Sequence, residues 1–200
     1  MTQNLPPVLH LENAAAVITA VKRVGKHVVT FLGFSGSGYE DTNGVRKIIE
    51  DVLSTLAPAT TLINAGGTTD GIGMVYPIAQ GHGFTTIGIV SSLAEAQKAA
   101  LSPDAHNIYV VADQVWGGKL PDGALSPTSS AMVGASDEIV AIGGDEIALD
   151  ELSVAMARGK PVRYFAADMN HGLARRKAAE NGITSPPDFK GAAHRLFAPA

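Results

Sequence analysis

The feature that most constrains this chain is a set of short apolar runs, several ending in glycine-rich turns, separated by stretches with helical spacing. Residues His27–Phe34 read His-Val-Val-Thr-Phe-Leu-Gly-Phe, without polar alternation, and a Ser-Gly-Ser-Gly turn follows. Thr60–Ala65 runs into Gly66-Gly67, and Asp137–Ile142 into Gly143-Gly144. Strands that lack polar alternation must be covered on both faces, as they are in a parallel sheet between two helix layers. Further runs at Phe84–Val90, Asn107–Ala112 and Pro161–Ala166 bring the expected strands to six. Helical spacing appears over Asn13–Lys26, Thr42–Leu56, from the turn after Gly67 to Gln80, Leu93–Ala100, Thr128–Ala135, Ile147–Arg158 and Gly172–Asn181. In the second of these, Val45, Ile48, Ile49, Val52, Leu53 and Leu56 share a face, and Pro58 stops the helix. The expected fold is α/β: a doubly wound, mostly parallel sheet with helices on both faces, Rossmann-like, in a single domain over residues 1–200.

At 200 residues a folded chain buries roughly 70% of the surface its unfolded form exposes, so one core suffices without staples. There is no cysteine, which excludes disulfides, thiolate catalysis and cysteine-held zinc. His82, His106, His171 and His194 show no paired ligand spacing, so neither metal nor cofactor is expected. Met1–Glu12 carries no basic run, and no later stretch approaches ~18 uninterrupted apolar residues. The expectation is a soluble, cytoplasmic protein without membrane contact. With a net charge of −4 and a single run of three cations, Arg175-Arg176-Lys177, nucleic acid is not an expected partner. Gln114–Pro127, with Trp116, reads as a surface excursion, a lid or a dimer contact, and the tail from Ser185 as loosely packed.

In open parallel sheets ligands sit at the carboxyl ends of the strands, which singles out three turns. The first offers Gly33, Ser35, Gly36, Ser37 and Gly38 as a tight turn or a ribose or phosphate contact. It is not a dinucleotide fingerprint: Asp41 stands where the third glycine belongs, and the next strand ends in Asn64 rather than a carboxylate. The second turn offers Gly66, Gly67, Thr68, Thr69, Asp70 and Gly71, whose amides and hydroxyls suit a phosphate or sugar unless Thr69 or Asp70 merely caps a helix. Gly67→Val is expected to block the ligand without unfolding the chain. In the third, Gly143 and Gly144 precede Asp145 and Glu146, carboxylates that suit a helix start and repel a phosphate there.

A strand ending in Gly-Gly, followed about eighty residues later by another that runs into an acidic helix, resembles the SLOG superfamily. That group joins LOG-like "lysine decarboxylase" proteins, which cleave nucleoside monophosphates at the N-glycosidic bond, to sensor domains for nucleotide-derived signals. The resemblance spans roughly Val28–Ala166. The family motif Pro-Gly-Gly-x-Gly-Thr-x-x-Glu falls on Ile142 to Asp150: the double glycine is kept, Gly-Thr becomes Glu146-Ile147, and the carboxylate becomes Asp150, with Glu151 beside it. The preceding helix, Thr128–Ala135, has no arginine. The resemblance implies a nucleotide or ADP-ribose-like ligand and a homodimer. If the protein is an enzyme, it implies a phosphoribohydrolase using Asp150 or Glu151. A non-catalytic structural or partner-binding role is the remaining alternative.

Overall fold

The computed structural model describes residues 6–184 and 188–198. Seven strands form one sheet: β1 (Val8–Leu11), β2 (His27–Gly33), β3 (Thr61–Asn64), β4 (Thr85–Ser91), β5 (Asn107–Val111), β6 (Glu138–Ile142) and β7 (Val162–Phe165). Their order is β1-β5-β4-β3-β2-β6-β7, and every pairing is parallel. The sequence reading counted six. It missed β1, an edge strand whose Val8 and Leu9 are both 39% exposed, so no buried run marks it.

The helices are α1 (Ala14–Lys22), α2 (Thr42–Ser54), α3 (Val75–Gly81), α4 (Leu93–Ala96), α5 (Pro127–Ala135), α6 (Glu146–Ala157) and α7 (His171–Glu180). Side chains alternate across the sheet, so the strands feed two cores. Val29, Phe31, Ile63, Val110 and Val140 pack with α2, α3, α4 and α7. Val28, Leu32, Leu62, Ile89 and Ile139 pack with α1, α5 and α6. This is the doubly wound α/β arrangement. The chain steps from β2 out to β5, then returns to the other side of β2 for β6 and β7, placing the switch in winding between β2 and β6.

Two expectations need correction. Helix α4 stops at Ala96 rather than Ala100, because Lys98 takes a left-handed conformation (φ 52°) and turns the chain away. The tail does not pack loosely over its described part. Ala192 and Ala193 are buried in a 3-10 turn, Ala193 N donates to Gly144 O, and Tyr164 stacks on Phe197 at 4.2 Å. The Pro186-Pro187 pair lies outside the described residues.

Candidate functional site

A cavity of about 420 Å³ opens at the carboxyl ends of β2, β3 and β4. Its walls come from distant segments: Phe31, Leu32 and Gly33 of β2 and Ser35 after it, Ala65 to Thr68 after β3, Ile89 to Ser91 of β4, Ala99 to Leu101, Thr128 and Met132 of α5, and Asp145, Ile147, Ala148 and Glu151 at the start of and within α6. Trp116 and Ile147 line it while remaining 45% and 40% exposed, so they stand where it meets solvent. The irregular segment carrying Trp116 folds back on itself, with Leu120 N donating to Ala124 O and Ser126 N to Gly118 O, and it supplies part of the cavity wall.

The two adjacent carboxylates of α6 have different neighbours. Asp150 faces the Trp116 segment: its Oδ2 accepts from Lys119 N at 2.9 Å and its Oδ1 pairs with Lys119 Nζ at 3.3 Å. Glu151 lines the cavity, 4% exposed, and its Oε1 accepts from Ser129 Oγ at 2.6 Å. Ser129 Oγ accepts in turn from Gly118 N at 2.8 Å. Burial pushes the Glu151 carboxyl up to about 7; the Ser129 hydrogen bond opposes that rise and the charge of Asp150 adds to it. Thr128 also lines the cavity. It is 5% exposed, and its Oγ1 is buried without a hydrogen-bond partner.

The glycine turns are occupied differently from the sequence expectation. At the β3 turn the Tyr76 hydroxyl accepts from Ala65 N and Gly67 N and donates to Ile87 O, while Gly66 N donates to Asn64 Oδ1. These amides are satisfied within the protein. Gly66, Gly67 and Thr68 line the cavity; Thr69, Asp70 and Gly71 do not. Gly71 (φ 56°) instead lets the chain pass against the Phe34 carbonyl, to which Ile72 N donates. A Cβ at Gly67 would meet Val90 Cγ1 at 2.6 Å and Gly88 Cα at 3.7 Å. Gly67→Val therefore strikes the core packing before it reaches a ligand, contrary to the expectation that the variant stays folded.

At the β2 turn, Gly33 and Ser35 line the cavity, whereas Gly36, Ser37 and Gly38 do not. Lys177 of α7 covers that turn, donating to Gly36 O at 2.9 Å. The crevice between β2 and β6 is filled by Tyr39, whose hydroxyl accepts from Phe34 N and donates to Ile142 O. Gly143 N donates to Phe165 O, and Gly144 packs against Ala193, so the second double glycine serves packing rather than the cavity.

Sequence reasoning missed Tyr76, Tyr39 and Thr128. A lone tyrosine eleven residues beyond a turn gives no local signal, and an unpartnered hydroxyl cannot be seen before its neighbours are placed. Among the described residues no group of three or more His, Asp or Glu side chains stands ready to hold a metal ion, and no helix is long and apolar enough to cross a membrane.

A scan against protein-family models finds no match, and neither does a search of curated proteins. Solved structures do share the fold. The X-ray structure of the protein TM1055 is 26% identical with a TM-score of 0.51, over 68% of this chain and 72% of that one. The molybdenum cofactor carrier protein from Chlamydomonas reinhardtii is 17% identical with a TM-score of 0.50, over 70% and 76%. At that identity the second likeness shows the fold alone.

Proposed function

We propose that this chain is a SLOG-type small-molecule-binding protein whose cavity receives a nucleotide or nucleotide-derived, ADP-ribose-like ligand. The observation that carries the reading is the cavity: about 420 Å³, at the carboxyl ends of the strands, with a few polar groups in a largely apolar wall. Ligand pockets typically span roughly 300–1,000 Å³ and share that composition. Phe31, Ile89, Val90, Met132 and Trp116 offer surfaces suited to a heterocyclic ring, and Ser35, Thr68, Ser91 and Glu151 offer partners for a sugar or a base edge. The fold also serves a protein named as a cofactor carrier, so it is compatible with a binding role. A thermal-shift panel of nucleosides, nucleoside monophosphates and ADP-ribose tests the proposal. A ligand at 100 times its Kd stabilises by about 2.7 kcal/mol, a rise of roughly 5–10 °C in Tm for a chain of this size. No rise with any member at millimolar concentration would overturn it.

A second reading, a phosphoribohydrolase, is favoured by one observation: Glu151 stands in the cavity wall. Cleavage of an N-glycosidic bond builds positive charge on the ribose, which an adjacent ionised carboxylate stabilises. With Glu151 pushed up to about 7, that ionised form dominates only above neutral pH. Incubation with AMP, GMP, CMP and IMP followed by chromatography for free base separates the readings. Turnover near ~1 per second would establish hydrolysis in place of binding.

A further inference from the structure

We propose that the cavity selects the unphosphorylated, hydrogen-bond-donating end of its ligand, so that it takes a nucleoside or free heterocyclic base in preference to the corresponding monophosphate. This inference rests on the cavity being the ligand site, and three independent observations support it.

The first is charge. The residues lining the cavity include Asp145 and Glu151 but no lysine, arginine or histidine. A phosphate drawn inside would lose its hydration and meet carboxylates with no cation in the wall, Lys177 acting on Asp145 from outside it, the costly case for a buried ion. The second is the backbone. Phosphate sites in α/β proteins use free turn amides and helix starts. Here Ala65 N, Gly66 N and Gly67 N are held by Tyr76 and Asn64, and Gly143 N by the Phe165 carbonyl. The start of α6 has no side-chain cap, but it carries the carboxylates of Asp145 and Glu146 beside its amides.

The third is what the cavity offers instead. Glu151 uses Oε1 for Ser129, and no hydrogen bond from a described residue reaches Oε2. Buried polar groups are almost always paired, so the free Glu151 oxygen at the cavity wall is where a ligand's donor is expected. An N–H or O–H donor of the ligand meets the Glu151 carboxyl. The ring nitrogens and amine of a base, or the hydroxyls of an unphosphorylated ribose, supply it.

Isothermal titration of the full chain with adenosine, cytidine, AMP and CMP tests the inference. Each nucleoside is expected to bind at least about tenfold more tightly than its monophosphate. Glu151→Gln, which leaves Ser129 an acceptor but turns the free carboxylate oxygen into an amide donor, is expected to weaken nucleoside binding about fivefold to tenfold. Monophosphates that bind as tightly as nucleosides, or more tightly, would overturn the selection while leaving the cavity as the site. Unchanged nucleoside affinity in Glu151→Gln would overturn the part assigned to that carboxyl. Absence of binding by all four compounds would overturn the selection, and the ligand site falls with it only if ADP-ribose also gives no thermal shift.

Discussion

Asp150 and Glu151 show how one step along a helix separates two roles. Successive side chains on an α-helix diverge by about 100°, so one carboxylate faces the Trp116 segment and fastens it while the other faces the cavity. Glu151 leaves a measurable trace in stability. Its carboxyl lies at about 7 in the folded chain against an ordinary 4.5, because burial favours the protonated form. The stabilisation is therefore complete below pH 4.5 and is lost as pH rises through 7, a difference of about 3 kcal/mol. Glu151→Gln retains an acceptor for Ser129 and removes the titration. Urea unfolding between pH 5 and 8 is expected to show the wild type losing about 2–3 kcal/mol relative to the variant. A parallel pH dependence in both would place the titration elsewhere. Glycine positions separate in the same way. Gly67→Val combines a left-handed φ of 68° with a clash against Val90, and is expected to cost about 3–5 kcal/mol, read as a collapse of the thermal transition. Gly66→Ala shares that φ but meets only Met132 Cε at 3.9 Å, and is expected to fold with a loss near 1 kcal/mol.

At the scale of elements, the segment between β5 and α5 depends on a few side-chain clasps. Asp113 accepts from Val115 N and Thr128 N, Ser129 from Gly118 N, and Asp150 from Lys119 N. Asp150→Ala removes one clasp on a partly exposed pair, so the global transition is expected to move by about 1 kcal/mol or less. Hydrogen exchange at Gly118 and Lys119 is expected to accelerate severalfold, and unchanged protection there would show that Asp150 does not hold the segment. These clasps also mark what the sequence could reveal. β2 to β7 were legible, most plainly where covering both faces leaves unbroken apolar runs such as Val28 to Leu32. β1 was not, because half of an edge strand faces solvent and four residues carry little pattern. The turns were legible as glycine-rich but not as occupied. That Tyr76 fills the amides of Gly67 and Ala65 depends on α3 packing over β3 and β4, a long-range fact absent from the local sequence.

Over the whole molecule, the winding places the switch between β2 and β6, where Phe34, Tyr39 and the buried Ala192-Ala193 turn pack, and the open volume lies beside them above β2, β3 and β4, with α6 in its wall. The helix whose start would face a phosphate in the resembled family is α6, and there the chain places Asp145 and Glu146. Burial raises the Asp145 carboxyl and the neighbouring charge of Glu146 adds to that rise, while Lys177 opposes it. A unit charge ~4 Å from a phosphate costs about 1 kcal/mol in water and about 4 kcal/mol at an effective dielectric of 20. Glu146 is largely exposed and paired with Arg195 at 3.4 Å, which favours the lower end of that range, whereas Asp145 lines the cavity and lies nearer the upper. The double variant Asp145→Asn with Glu146→Gly removes both charges and restores one glycine of the family motif. It is expected to bind AMP about tenfold more tightly than the wild type while its affinity for adenosine moves less than threefold, measured by calorimetry at fixed low ionic strength. Equal gains for AMP and adenosine would show that the carboxylates shape the cavity rather than repel a phosphate. An unchanged AMP affinity would mean that the phosphate never approaches α6.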